Sequence, residues 1–236
     1  MRLPLITAHA ACKGHAPENT IAGVRAALSL GADAIEVDVR CTRDGVPVLL
    51  HDATVDRTTD GQGEIAALSL RQARRLAAGD GERIPTLREV LAEVAGRALL
   101  VLEVKPAGID EEVLAVVCRG RALDWCAVHS FQPQVVERFR SASGGRMPCS
   151  LLTDGRQVVD WGQLFAFALS LGAQGVAVYH GAVTPELVRG AHLRELRVST
   201  WTANRRADVR RVAACGVDAI TSDYPDRVRR WLPRRG

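Results

Sequence analysis

The stretch Ala34-Ile35-Glu36-Val37-Asp38-Val39 alternates apolar residues with acids. A β-strand places successive side chains on opposite faces, so Glu36 and Asp38 share one face and the apolar residues between them share the other. The run contains few other polar residues, which is typical of a parallel strand that is covered on both faces. The stretch therefore predicts an interior strand that points two carboxylates inward.

The same alternation returns in Leu102-Glu103-Val104-Lys105, which places Glu103 and Lys105 on a common face. Three inward acids and one lysine are costly to bury unless their charges are compensated. Carboxylate oxygens without Cys or His at ligand spacing favour a hard cation, Mg²⁺ or Ca²⁺, over zinc. The acids therefore predict a divalent-metal site, and the alternative is a salt-bridge cluster that fills the core.

Working outward from these two strands, apolar strands alternate with helices along the chain. Three segments repeat the pattern of a helix end, a glycine cap and an apolar strand, namely 30–35, 171–176 and 215–220. Strands are predicted at residues 5–8, 34–39, 99–104, 127–130, 147–151, 175–179, 197–201 and 219–222, and helices are predicted to begin near Ile109, Pro133, Gly162, Thr184 and Arg206. Three earlier helix starts are predicted by a cap at Asn19 or Thr20 and by capping boxes at Ser69 and Thr86. Eight strands alternating with helices predict an α/β fold, a TIM (β/α)8 barrel. We expect a single domain over residues 1–236, with an insertion at about 40–85 after the second strand.

Two histidines follow predicted strands. His9 ends the first strand, and His51 ends the short strand 46–50 in the insertion. Active sites of such barrels lie at the carboxyl ends of the strands, so both histidines are expected near the acids. Either histidine alone fits a structural role equally well. Two of them beside a metal favour a proton donor and a proton acceptor for displacement at phosphorus.

Composition narrows the class of protein. The 236 residues are 47% hydrophobic, enough for one sizeable core, and the net charge is only +4. The basic tail Arg227–Arg235 predicts a solvated final helix rather than a nucleic-acid arm, and aromatic residues make up only 4%, so no nucleic-acid partner is expected. Six scattered cysteines indicate a reducing compartment. Residues 1–4 lead directly into a strand, without a signal peptide or a membrane-length apolar run, so we expect a cytoplasmic protein without stable membrane insertion.

A series of ordered motifs extends along nearly the whole chain. They are His9 after an apolar strand, Ala16–Thr20, Gly31–Val39, Asp44–Asp52, Asp56–Thr59, Ile84–Leu87, Glu103–Lys105, Trp201–Asn204 and Thr221–Pro225. With these motifs in this order, the chain resembles the glycerophosphodiester phosphodiesterase family.

The resemblance implies a metal-dependent TIM barrel that hydrolyses a small-molecule glycerophosphodiester to glycerol 3-phosphate and an alcohol. Matching positions assign the metal ligands to Glu36, Asp38 and Glu103, the acid–base pair to His9 and His51, the phosphate contact to Lys105, and the wall against the glycerol carbons to Trp201. The sequence leaves open which histidine is the acid, which metal binds, which headgroup is preferred and whether the protein forms oligomers.

Two other functions share these residues. One is a lysophospholipase D-like barrel that releases a cyclic phosphate, and the missing apolar lipid-docking run argues mildly against it. The other is a non-catalytic barrel that only binds phosphorylated ligands. The second is suggested by one departure from the family, which usually follows its first histidine with Arg and Gly, whereas this chain has Ala10 and Ala11.

The departure at Ala10 removes a residue that resembles a phosphate clamp in the family. A hydrogen bond to a charged group contributes about 1.5–3 kcal/mol, so its loss would cost about 10- to 150-fold in transition-state stabilisation. Lys13 lies in the same loop and is a candidate substitute, although an ammonium lacks the bidentate geometry of a guanidinium. The alternative is that Lys13 is only a solvated loop residue.

Overall fold

The strands are built from the alternating apolar stretches. A computed structural model describes residues 3–156 and 158–233. Its nine strands are β1 (Leu5–Ala8), β2 (Ala34–Cys41), β3 (Pro47–Leu49), β4 (Leu99–Val104), β5 (Cys126–Ser130), β6 (Cys149–Thr153), β7 (Gly175–Tyr179), β8 (Arg197–Trp201) and β9 (Ala219–Ser222).

Eight of these strands form a closed parallel barrel. In spatial order they run β1, β9, β8, β7, β6, β5, β4, β2, and β2 pairs again with β1. Thr7 lies opposite Ala34 of β2 and also opposite Thr221 of β9, which closes the ring. The predicted TIM barrel is therefore confirmed, and the carboxyl ends of all eight strands open on one face.

The barrel strands follow the predicted positions closely, with a one-residue difference in β5 and two larger shifts. β2 continues to Cys41, because beyond the barrel it pairs with the antiparallel β3, Val39 lying opposite Leu49. β6 begins at Cys149 instead of residue 147, and Met147 is buried just before it. Apolar residues next to a strand cannot be separated from the strand by pattern alone, which accounts for the second shift.

The helices surround the barrel. They are α1 (Ile21–Ser29), α2 (Leu70–Ala73), α3 (Leu87–Val94), α4 (Asp110–Arg119), α5 (Pro133–Ala142), α6 (Trp161–Ser170), α7 (Pro185–His192), α8 (Arg206–Cys215) and α9 (Pro225–Trp231). Thr20 caps α1 by accepting a hydrogen bond from the amide of Gly23. Capping boxes at Ser69 and Thr86 begin α2 and α3. The sequence correctly marked these starts, and α9 carries most of the basic tail, while Arg234 and Arg235 lie outside the described residues.

The main core lies between the sheet and the helices. Ile35, Val37 and Val39 of β2 belong to it and are fully buried, whereas Glu36 and Asp38 occupy the alternate positions. The segment between β2 and α3 packs around a smaller core of its own, formed by Val48, Leu50, Val55, Ile65, Ala73 and Ile84. The assignment of residues 1–236 to one domain, with about 40–85 as an insertion, stays a prediction.

Helix α1 also fixes the loop after β1. A Cβ atom on Gly23 would lie 2.0 Å from the carbonyl oxygen of Ala11, so only glycine permits this close approach. The loop residues Ala10, Ala11 and Cys12 all have positive φ and are buried against the barrel. Packing on α1 therefore holds the strained turn that follows His9.

Within residues 3–156 and 158–233, the structure has no helix with the length and apolar character needed to cross a bilayer.

Candidate active site

Three acids meet at the open end of the barrel. One oxygen each from Glu36, Asp38 and Glu103 lies within 4.8 Å of the other two. The sheet register explains the meeting, since Asp38 of β2 lies directly opposite Glu103 of β4. Carboxylates this close repel one another unless a cation compensates them.

Glu36 carries the strongest sign that a cation belongs here. Its Oε2 accepts a hydrogen bond from the amide of Ala10 (2.8 Å), but its buried Oε1 has no partner among the described residues. Burial, followed by the charges of Asp38 and Glu103, raises the pKa of Glu36 well above its usual value. An all-oxygen donor set with one buried oxygen left unpaired fits a divalent hard cation.

Lys105 holds the other two acids. Its Nζ lies 2.9 Å from Asp38 and 2.6 Å from Glu103. Asn19 donates to Asp38 Oδ2 (2.7 Å) and accepts from the Asp38 amide (3.0 Å). Burial alone would raise the pKa of Asp38, but Lys105 and Asn19 outweigh it, so the pKa lies below its usual value. Asp38 is therefore a carboxylate at neutral pH.

His9 is held by a carboxylate from the far end of the chain. Its Nδ1 lies 2.6 Å from Asp223, which follows β9. The other oxygen of Asp223 accepts from Asn204 (2.7 Å), whose own oxygen accepts from the Asp223 amide. Burial opposes the charge on Asp223, yet the bonds from His9 and Asn204 and the charge of Lys13 lower its pKa. With Nδ1 engaged, Nε2 is the nitrogen of His9 available for proton transfer.

His51 is held in the same way by its sequence neighbour. Its Nδ1 lies 2.7 Å from Asp52, whose second oxygen accepts from Arg57 (2.6 Å). Arg57 also donates to Glu18 (2.6 Å), and Arg40 donates to the backbone oxygen of His51. The hydrogen bonds from Arg57 and then His51 lower the pKa of Asp52 to about 2. The site thus contains two His–Asp pairs.

A cavity of about 180 Å³, here called the inner cavity, brings these groups together. Predicted site residues that line it are His9, Glu36, His51, Glu103, Lys105 and Trp201. Trp201 donates to the Ala177 oxygen (3.1 Å) and makes edge contacts with Phe131 and Tyr179. A larger groove of about 740 Å³ lies outside the barrel between α3 and α4, and no predicted site residue lines it.

Lys13 lies apart from the inner cavity. It lines a second cavity of about 230 Å³, the outer cavity, together with Ala10, Glu18, Asp52, Arg57 and both histidines. Its Nζ is 3.9 Å from Asp223, so it is only loosely paired. Lys13 and Lys105 therefore lie in different cavities, with His9 and His51 lining both.

The chain is similar to known proteins in both sequence and fold. A sequence model described as the glycerophosphoryl diester phosphodiesterase family matches residues 9–227. The chain belongs to this family. It is 33% identical to the glycerophosphodiester phosphodiesterase of Caldanaerobacter subterraneus over 94% of the chain and 95% of that protein. Members of the family are phosphoric diester hydrolases.

Solved structures of this family share the fold. An Oleispira antarctica phosphodiesterase, solved with its product sn-glycerol-3-phosphate, matches with a TM-score of 0.86 and 27% identity, covering 97% of the chain and 96% of that structure. An Agrobacterium tumefaciens glycerophosphodiester phosphodiesterase matches with a TM-score of 0.83 and 26% identity, covering 95% of the chain and 98% of that structure.

Sequence reasoning on this phosphodiesterase-family chain did not assign roles to the residues that hold the histidines. Asp52 and Asp223 lie inside motifs that carry the resemblance, as does Asn19, which was considered only as a helix cap. Asp223 lies 214 residues from His9, so no spacing rule could reveal that pair, whereas Asp52 directly follows His51. The available signal was that each of these three motifs contains a carboxylate or amide side chain.

His129 is a further residue of the inner cavity that the sequence did not indicate. It lies on β5 opposite Glu103, and no hydrogen bond reaches its ring in the part of the chain that the structure describes. Burial lowers its pKa to about 4. The lowered pKa favours the neutral form of this imidazole.

Proposed function

We propose that this protein hydrolyses glycerophosphodiesters to glycerol 3-phosphate and an alcohol, with a divalent metal and with His9 and His51 as the acid–base pair. The observation that carries the proposal is that two histidines, each held by an aspartate, line one cavity with Glu36, Glu103 and Lys105. A cavity with two proton-transfer groups, a carboxylate cluster and an ammonium group suits displacement at a phosphate.

In the proposed reaction, an oxygen nucleophile forms a bond to phosphorus while the bond from phosphorus to the alcohol oxygen breaks. One histidine takes the proton of the nucleophile, which is water or the glycerol 2-hydroxyl, and the other gives its proton to the departing alcohol. Attack by water gives glycerol 3-phosphate directly, whereas attack by the 2-hydroxyl gives a cyclic phosphate that water then opens to glycerol 3-phosphate. Asp223 and Asp52 hold the two rings with Nδ1 engaged and stabilise the ring that becomes charged. Lys105 contacts the phosphate, and Trp201 packs against the glycerol carbons.

Mg²⁺ or Ca²⁺ is the proposed metal, held by Glu36, Asp38 and Glu103. When bound, it supplies positive charge that stabilises the negative charge on the phosphate. The unpaired Glu36 oxygen and the close approach of the three acids support a cation at this position. Activity should therefore need the metal.

Release of glycerol 3-phosphate from several glycerophosphodiesters, with and without EDTA, tests the proposal. We expect release with Mg²⁺ or Ca²⁺, complete loss in chelator and recovery when metal is restored. Glu36→Gln should weaken metal binding in a calorimetric titration while the unfolding temperature changes little. Glu137→Gln, on the exposed surface of α5, is the matched control and should leave both unchanged. Full activity after exhaustive chelation would contradict the metal-dependent reaction.

A lysophospholipase D-like reaction is the second candidate. Phe131 is 49% exposed and Tyr179 36% exposed, and both contact Trp201 beside the inner cavity. An acyl chain on the glycerol would have an apolar surface to follow there, which no single run of the sequence shows. Release of a cyclic phosphate from lysophospholipids, at a rate above hydrolysis of the deacylated diesters, would favour this reaction.

We further propose a cytoplasmic location, a small-molecule phosphodiester substrate and no nucleic-acid partner. All six cysteines are free thiols, which supports a reducing compartment. The product complex of the Oleispira relative supports a small-molecule substrate.

A further inference from the structure

The outer cavity lies beside the catalytic histidines but differs from the inner cavity in its chemistry. His9 and His51 line both cavities, so a group bound between the two rings has space on either side. The inner cavity is lined by Glu36 and Glu103, two of the three proposed metal ligands, and by the aromatic rings of Phe131 and Trp201. The two cavities are similar in volume, about 230 Å³ for the outer cavity and about 180 Å³ for the inner cavity.

Charged hydrogen-bonding groups of both signs surround the outer cavity. Lys13 and Arg57 are donors, and Glu18 and Asp52 are acceptors. Arg57 donates one N–H to Asp52 and one to Glu18, so three of its five guanidinium N–H groups remain for a ligand. Lys13 is 35% exposed and its nearest carboxylate is 3.9 Å away. Donors and acceptors are therefore both available to a ligand.

The lining of the outer cavity argues against other headgroup classes. Ala10 is its one apolar side chain among the described residues, and no aromatic ring other than the two imidazoles lines it. Quaternary ammonium groups are recognised by aromatic faces, and acyl chains need apolar walls. A hydroxyl group both donates and accepts, so a headgroup with several hydroxyls matches the mixed lining.

Resting on the proposed function, we propose that the outer cavity is the subsite for the departing alcohol and that it prefers a polyhydroxy headgroup such as glycerol or inositol. The scissile phosphate then lies between His9 and His51, with the glycerol 3-phosphate part in the inner cavity. The small side chain of Ala10 leaves the outer cavity open to such a headgroup.

The test compares kcat/KM for four glycerophosphodiesters, with inositol, glycerol, ethanolamine and choline headgroups. The inositol and glycerol diesters should exceed the choline diester by about 10-fold or more, the factor expected of one hydrogen bond to a charged group. Lys13→Ala should reduce that ratio, chiefly through KM. Ala10→Leu narrows the outer cavity, so it should lower kcat/KM most for the inositol diester. Arg88→Ala, on an exposed residue of α3, is the control and should leave the ratio unchanged.

Thermal unfolding of each variant separates misfolding from loss of the subsite, and Lys13→Ala decides the question if Ala10→Leu does not fold. A choline diester that is cleaved as well as the polyol diesters, or a ratio that Lys13→Ala leaves intact, would overturn the subsite. If no diester is hydrolysed, the proposed function fails. Calorimetric titration of the same four diesters into the wild-type protein then still measures the headgroup ranking.

Discussion

His9 and His51 are held by the same contact in two very different settings. Each donates through Nδ1 to an aspartate, over 2.6 Å and 2.7 Å. The His9 side chain is 20% exposed and its partner comes from the last barrel strand, 214 residues away. The His51 side chain is 48% exposed and its partner is the next residue. One pair belongs to the closed barrel, and the other belongs to the segment between β2 and α3.

The difference indicates how firmly each ring is fixed. Asp223 is held by the uncharged side chain of Asn204 and is only 16% exposed. Asp52 is held by Arg57, whose side chain is 51% exposed. Ion pairs between exposed groups are screened by salt and contribute little. The barrel therefore fixes His9 more firmly than the insertion fixes His51, and the proposed reaction needs both.

The largest effect is expected from removing either ring. General acid–base groups contribute about 10²- to 10⁴-fold each, so His9→Ala and His51→Ala should each lower kcat by that order. The double variant should lose much less than the product of the two, because both act in one proton transfer sequence. Steady-state kinetics with glycerol 3-phosphate release measures all three variants.

His15→Ala is the matched histidine control. His15 pairs with Asp226 outside both cavities, so its removal should change kcat by less than about twofold. If His15→Ala were the most damaging of the three single variants, the assignment of the acid–base pair would be wrong.

Removing the aspartates should reveal the difference between the pairs. Asp223→Asn should lower kcat by about 10- to 150-fold, because a shielded hydrogen bond to a charged group is lost. Asp52→Asn should cost less than about 10-fold, and its cost should shrink further at 0.5 M salt because the pair is exposed. The measurement is kcat at two ionic strengths. A larger loss in Asp52→Asn than in Asp223→Asn would reverse the comparison.

The sequence predicted the barrel because its signals are local. Alternation in β2 and β4, the helix caps at Thr20, Ser69 and Thr86, and the glycine repeats each depend on residues a few positions apart. Glu36 and Asp38 were placed on the inward face by period alone. The extension of β2 to Cys41 was missed because it depends on pairing with β3.

The candidate site was predicted only where its signals are local in the sequence. Strand ends placed His9 and His51 near the acids, and the resemblance supplied their roles, which stay predictions. The partner of His9 could not be derived, because Asp223 reaches His9 only when β9 closes the barrel against β1. His129 was missed because its position opposite Glu103 depends on strand register, which the sequence does not fix.

A smaller effect is expected at positions 10 and 13, which both line the outer cavity beside the two rings. The rival to the headgroup role of Lys13 is a contact with the phosphate, which is the role of the family arginine. In that case Lys13→Ala should lower kcat/KM by about 10-fold for every headgroup. Ala10→Arg in that background should restore most of it. Glycerophosphocholine is the substrate of choice, because its headgroup has no hydroxyl and the effect then reports on the phosphate.

The four enzymes form a double-mutant cycle on kcat/KM. Coupling between the two changes would place both cations on one phosphate. An additive cycle would remove Lys13 from the phosphate and leave that role to Lys105 and the metal. A loss of activity in Ala10→Arg alone would instead show that the longer side chain blocks the substrate.

The smallest effect concerns folding, and it compares the two aspartates directly. The pKa of Asp52 is about 2, below the value of about 3.9 for an unfolded chain. Between these pH values the unfolded state takes up a proton that the folded state does not, so stability from this group is complete above pH 4 and is lost as the pH falls towards 2. Because Asp52 is partly exposed, we expect it to contribute at most about 1 kcal/mol to the free energy of unfolding.

Urea unfolding at pH 7 and pH 3 measures this contribution. The free energy of unfolding should fall less between the two pH values in Asp52→Asn than in the wild type. At pH 7, Asp223→Asn should lower the free energy of unfolding more than Asp52→Asn does, because the Asp223 carboxylate is more buried and its pKa is also lowered. Equal acid losses in Asp52→Asn and the wild type would mean that the exposed pair adds nothing to stability, and that the insertion holds His51 by packing alone.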